Sequence, residues 1–245
     1  MEKLAGMVIT NGTKHQWPRR MGSSIVWEPG NGTGIWIHVN NDNVIECVTP
    51  ILVGNSPLNL FVKSRYIDPT CPHCSGLILE KRETEAEESI ELQIAIQLAD
   101  YEITKDLIQI NKFQPVSFAG IAEEIGIYKD EEDFNKNSEK LPEGQMYATE
   151  SFIPAGLFAQ DPKDVSSQAF LSGTVRFIER REGIFTDPCW YYGKIATLGM
   201  TIECAFDEEQ GAQIKEGYIV QGTYWLVGGA SKTWERKRFF DRIFT

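Results

Sequence analysis

The segment Cys71-Pro72-His73-Cys74 is the sharpest local signal for chemistry in the chain. Two thiols three positions apart on a tight turn supply half of a zinc site, because zinc takes four soft ligands in a tetrahedron. No second Cys-x-x-Cys accompanies them. Cys47 is therefore the candidate third ligand beside Cys71 and Cys74, with His38 or a solvent molecule as the fourth. The same spacing serves thiol redox chemistry when the first cysteine opens a helix whose N-terminus lowers its pKa. Here Ser75-Gly76-Leu77-Ile78-Leu79-Glu80 follows, with no helical stripe. The plainest reading is a turn between strands, in which Pro72 fixes φ, Gly76 supplies flexibility and the thiols are bystanders.

Other catalytic constellations are poorly supported. The chain has three histidines, His15, His38 and His73, and no Gly-x-Ser-x-Gly beside any of them. Neither a Gly-x-x-x-x-Gly-Lys loop nor a Gly-x-Gly-x-x-Gly helix start occurs, so nucleotide hydrolysis and dinucleotide binding have no carrier. Acid pairs such as Glu123-Glu124, Glu131-Glu132 and Glu208-Glu209 read as solvated faces. The sequence leans towards a protein that is not an enzyme, and zinc is the one cofactor it suggests.

Composition narrows the partners. The chain has 245 residues, 24 of them Lys or Arg and 35 Asp or Glu, for a net charge of −11. From Gln168 onward basic and acidic residues balance, so the whole excess of acid lies upstream. An acidic chain is a poor generic binder of nucleic acid, because counterion release needs clustered cations. No run of about 18 apolar residues exists to span a membrane. The first residues lack the apolar stretch of a secretory signal. With an odd number of cysteines, five, this points to the cytoplasm and to reduced thiols.

The elements that must position these residues are strands. Ile90, Leu92, Ile94, Ile96 and Leu98 alternate with Glu91, Gln93, Ala95 and Gln97, which predicts a half-buried strand. Ser24–Glu28 and Gly34–Val39 flank Pro29-Gly30-Asn31-Gly32-Thr33 and predict a hairpin. Val44–Leu52, Leu58–Val62 and Glu124–Tyr128 add short strands. One interior helix is expected over Asp130–Leu141, with Asp130 as N-cap and Pro142 as its stop. No internal repeat is visible. The fold class is mainly β, with an acidic antiparallel domain over 1–164 and a second domain over 165–245.

In that second region Phe170–Arg180, Trp190–Leu198, Met200–Phe206 and Tyr218–Val227 predict strands, with Asp207–Gln213 as an irregular or helical link. Gly173 and Gly222 lie inside long strands, as a coiled strand at a barrel corner requires. This is the order of an OB-like barrel. A turn near Leu198-Gly199 sets Cys204 opposite Gly193, so no disulfide to Cys189 is expected.

Three resemblances follow from these residues. Cys71-Pro72-His73-Cys74 resembles half of a zinc ribbon, and also the active-site tetrad of thioredoxin-like disulfide oxidases, whose βαβ context is missing here. Ala169–Val175, Thr197–Ile202 and Gly222–Gly228, with Phe152–Phe158 upstream, resemble the C-terminal part of bacterial proteins of unassigned function that look OB-like. That last resemblance implies a fold and no chemistry.

The candidate ligand face of the barrel carries Arg176, Arg180, Tyr192, Lys194 and Trp225. At a spacing of four, Arg176 and Arg180 are expected on one face and Arg181 on the other. Lys232–Arg242 is expected to form an amphipathic helix with Phe239, Phe240, Ile243 and Phe244 on one side. The leading expectation is a non-catalytic binding or assembly module whose barrel face holds a protein partner or a polymer. Homo-oligomerisation is compatible with it. The alternatives are a zinc or thiol-redox site at Cys71 and Cys74, and single-stranded nucleic-acid binding on the barrel.

Overall fold

Glycine-rich turns and alternating apolar residues break the chain into short antiparallel strands, as expected. The structure, a computed structural model, describes residues 2–17, 22–52, 57–68, 71–84, 92–139, 147–155, 165–183 and 189–229. The expected C-terminal helix over Lys232–Arg242 lies outside the described residues, as does part of the Phe152–Phe158 connector.

The strands β1 (Thr13–Gln16), β2 (Gly22–Trp27), β3 (Thr33–Asn40) and β4 (Ile45–Leu52) form an antiparallel sheet in chain order. The β2–β3 hairpin is the expected one. The Asn31 side chain accepts from the Thr33 amide at 3.1 Å and from its hydroxyl at 2.6 Å, and so fixes the turn. A helix the sequence did not announce, α1 (Glu2–Asn11), packs on β2 and β3 and buries Val8.

Among the described residues nine further strands form the second sheet: β5 (Leu58–Tyr66), β6 (Gly76–Lys81), β7 (Leu92–Leu98), β8 (Lys112–Tyr128), β9 (Ser151–Pro154), β10 (Gln168–Glu182), β11 (Cys189–Thr197), β12 (Met200–Phe206) and β13 (Ile219–Gly229). Short helices α2 (Tyr101–Thr104), α3 (Glu131–Asn137) and α4 (Glu208–Gly211) lie between them. The N-cap of α3 is Asp130, as expected, accepting from the Asp133 amide at 2.8 Å.

The pairings close two rings of five strands. One runs β8-β5-β6-β7-β13 and the other β13-β10-β11-β12-β8, each closed by the β8–β13 pairing. Both follow one plan. Three antiparallel strands lead into a short helix, and a long strand returns to pair antiparallel with the first of the three. The third strand then takes a parallel neighbour, β13 for β7 and β8 for β12. The sequence showed no repeat, yet the topology has one.

Compactness follows the rings rather than the chain. Among the described residues, one compact unit holds the chain up to Phe118 with 165–167 and 227–229, and the other holds 119–155 and 168–226. The sequence reading had a single break after 164. The second ring, where an OB-like barrel was expected, therefore takes its fifth strand from upstream, from residues of β8 that pair with β12 at Ala119–Ile121. The start of that strand was not foreseen, since Pro115 lacks an amide donor and Gly120 lacks a side chain, both marks of interruption.

Two local expectations need correction. The strand β7 is buried on both faces, including Ala95 and Gln97, so more than the inner face of its ring is covered. Gln97 Nε2 donates to Asp68 Oδ2 at 3.1 Å, while its buried Oε1 has no partner among the described residues. Gly76 is a buried strand residue, not a flexible one. A Cβ there would overlap the Ile96 carbonyl and lie 2.8 Å from Tyr66 Cζ, so close approach of the backbones excludes a side chain.

Candidate functional site

The site forms where the hairpin β3–β4 meets the turn between β5 and β6. Alternation on β3 turns His38 inward, and the register His38↔Cys47 puts Cys47 beside it on β4. Pro72 opens a single 3-10 turn over Pro72–Cys74, a position where its missing amide costs nothing. The turn is tied down by its own polar groups. The Cys74 amide donates to the Cys71 carbonyl at 2.9 Å, Ser75 Oγ donates to the Pro72 carbonyl at 2.6 Å, and Asp68 Oδ1 accepts from the Cys71 amide at 3.3 Å.

This brings Cys47, Cys71 and Cys74 together with His38, which the sequence offered beside solvent as the fourth ligand. Cys47 and Cys71 are joined by a disulfide, with Cα atoms 6.3 Å apart. The expectation that every thiol is reduced is thus corrected at this pair, which strand register and turn hold side by side. Cys74 Sγ lies 2.9 Å from Cys47 Sγ and 3.0 Å from Thr49 Oγ1. A ligand nitrogen of His38 and the sulfurs of Cys47 and Cys74 all lie within 4.8 Å of one another. Four ligands about 2.3 Å from a zinc ion stand roughly 3.5–4 Å apart in a tetrahedron. The thiol and imidazole atoms converge on that scale.

Sequence reasoning missed the residues that orient the imidazole. Trp17 Nε1 donates to Ser24 Oγ at 2.7 Å, and Ser24 Oγ is 2.9 Å from His38 Nδ1. Among the described residues the buried Nε2 of His38 makes no hydrogen bond of ordinary geometry, although the Ala99 backbone acts on the ring, and it is the nitrogen left for a ligand. Nothing in Gly22-Ser23-Ser24 marks Ser24 for this role before the strands are paired.

His73 turns away from the sulfurs. Its Nε2 meets Glu46 Oε2 at 2.5 Å, its Nδ1 lies 3.4 Å from Glu102 Oε1, and its ring stacks on Trp17 with centroids 4.3 Å apart. An open pocket of about 410 Å³ reaches the site, lined by Val44, Ile45, Glu46, Cys71, Pro72 and His73 among others.

Burial governs the titration of the inner groups. It holds His38 down to about 4, reinforced by the neighbouring His73, so the imidazole is neutral at physiological pH. Burial pushes the Cys74 thiol up to about 12 when no cation is present, with Thr49 acting in the opposite direction.

The expected ligand face on the barrel is rearranged. A bulge between Val175 and Phe177 makes Arg176 the extra residue of β10. Downstream of it Phe177, Glu179 and Arg181 share a face with Lys194, Tyr192 and Trp190. Arg181, not Arg180, therefore lies over the aromatics, 4.0 Å from the Tyr192 ring centroid and 5.4 Å from that of Trp190. Arg180 sits on the other face opposite Tyr191. Tyr192 is buried beneath the arginine, Lys194 is half-buried, and Trp225 is half-buried on β13 while its neighbour Tyr224 fills the core. The spacing of four between Arg176 and Arg180 loses its meaning because the bulge shifts the parity. Cys204 pairs with Gly193 as expected, and Cys189 and Cys204 are free and buried.

Among the described residues no helix is long and apolar enough to cross a membrane. No family model, curated protein or solved structure matches the chain.

Proposed function

We propose that this chain is a non-catalytic zinc protein. In its reduced form Cys47, Cys71, Cys74 and the Nε2 of His38 hold the ion. The observation that carries this reading is the convergence of the Cys47 and Cys74 sulfurs with a nitrogen of the buried His38 imidazole, all within 4.8 Å of one another, with the Cys71 sulfur bonded to that of Cys47. A closed set of four protein ligands leaves no position for substrate, which favours a structural ion over a catalytic one. Such an ion ties the β3–β4 hairpin to the turn after β5. The thiol-redox alternative is weaker, because a 3-10 turn leading into a strand lacks the helix N-terminus that activates a catalytic cysteine.

Metal analysis of reduced protein, purified without added zinc, tests the proposal. One zinc per chain is expected, with loss of local structure on chelation, since metal binding is then folding free energy. Cobalt in its place should give the thiolate charge-transfer and visible bands of a tetrahedral site. A metal-free chain whose melting temperature ignores both zinc and chelator, and a Cys71→Ser/Cys74→Ser variant as stable as the parent, would return the segment to a plain turn.

A second reading, a protein or polymer ligand on the outer face of β10–β11, draws on Arg181 stacked over Tyr192 and Trp190 beside the exposed Phe177. Glu179, which pairs with Arg181 at 3.0 Å, removes much of its charge, so weak or no binding to a labelled single-stranded 20-mer is expected. Submicromolar affinity lost in Arg181→Ala would favour nucleic acid.

A further inference from the structure

We propose that peroxide opens this metal centre: Cys47 and Cys71 close into a disulfide, and the zinc is released. The inference rests on the zinc reading and adds its regulation. The same pair of sulfurs that would ligate the ion is bonded in the structure, and their Cα separation of 6.3 Å lies within the range a disulfide spans without backbone movement. Access is uneven across the site. Cys71 lines the open pocket, whereas Cys74 is fully buried against Thr49. A small oxidant arriving through the pocket reaches Cys71, and the partly exposed Cys47 lies within bonding reach of it. The remaining free thiols, Cys189 and Cys204, are buried and line no part of this pocket.

The chemistry balances with hydrogen peroxide as the oxidant. The Cys71 thiolate attacks one peroxide oxygen, the O–O bond breaks, and the departing hydroxide takes a proton from solvent. This leaves a sulfenic acid on Cys71. The Cys47 thiolate then attacks that sulfur, the S–S bond forms, the S–O bond breaks, and a second hydroxide is protonated. Two thiolates have given two electrons to one peroxide, and two waters result. Zinc keeps its charge throughout. It is left with Cys74 and His38 alone, two ligands where a closed site needs four.

The test uses the full reduced chain, loaded anaerobically with one equivalent of zinc and freed of excess metal. Excess hydrogen peroxide is added with 4-(2-pyridylazo)resorcinol present to report free zinc. Release of about one zinc per chain is expected, at least about tenfold faster than without peroxide. Peptide mapping should then find a Cys47–Cys71 link, and dithiothreitol should restore zinc binding. A Cys189→Ala/Cys204→Ala chain should release zinc as the parent does. If zinc loads and stays bound through oxidation, or if the mapped link involves Cys74, the switch is overturned while the zinc reading stands. If zinc never loads, both fall.

Discussion

Ser24 is the residue through which the site is most sharply tested, because it holds two buried groups at once. Its hydroxyl accepts from Trp17 Nε1 at 2.7 Å and meets His38 Nδ1 at 2.9 Å, and all three side chains are buried. Ser24→Ala removes one oxygen and orphans both an indole N–H and an imidazole nitrogen. Leaving a buried donor or acceptor unpaired costs about 1–3 kcal/mol each, so the variant should lose about 2–6 kcal/mol. The methyl group that remains fills most of the space, so little of this is cavity cost. Urea unfolding of reduced protein at neutral pH measures the loss. In a Trp17→Phe background one of the two orphans is already gone, so the further loss from Ser24→Ala should shrink. Because Ser24 also fixes the tautomer and tilt of His38, zinc affinity by competition with a chelator should fall about 10–100-fold. A Ser24→Ala chain within about 0.5 kcal/mol of the parent, with unchanged zinc affinity, would refute the claim that this network positions the imidazole.

Two other predictions concern acid and packing. In metal-free protein the folded-state pKa of His38, about 4, lies below its unfolded value near 6.5, so the unfolded chain binds the proton more readily. Its contribution is fully present above about pH 6.5 and is lost as pH falls towards 4, a total of about 3 kcal/mol, and His38→Asn should remove that part of the pH dependence. In the barrel, a Cβ at Gly222 would overlap the Glu124 carbonyl and lie 2.7 Å from Ile125 Cα, and one at Gly173 would lie 2.5 Å from Ile195 Cγ2. Gly222→Val and Gly173→Val should each cost about 3 kcal/mol or more, whereas Gly6→Ala, with nothing within 4 Å, should leave stability unchanged or raised. Melting curves identical to the parent for both valine variants would contradict the barrel packing.

What the sequence by itself determined was local. Alternation and turn residues located the β2–β3 hairpin, the strands β10 to β13 and the cap of α3, because each depends on neighbours a few residues apart. It also named Cys47, Cys71 and Cys74, with His38 or solvent as the fourth ligand, since Cys71 and Cys74 are close in the chain and soft ligands are few. The tertiary structure decided everything that depends on register between distant strands. Only the pairing of β3 with β4 sets His38 opposite Cys47, and only the fold brings that pair to the turn at Cys71. Ser24 and Trp17 carry no motif, so their service to His38 is invisible until the strands are paired. One extra residue at Arg176 exchanges the faces of Arg180 and Arg181, because side chains on a strand repeat every two positions and a bulge shifts the count by one. The division of β8 and β13 between two rings is equally non-local: each long strand carries two sets of partners, and nothing along its own sequence marks where one set ends and the other begins.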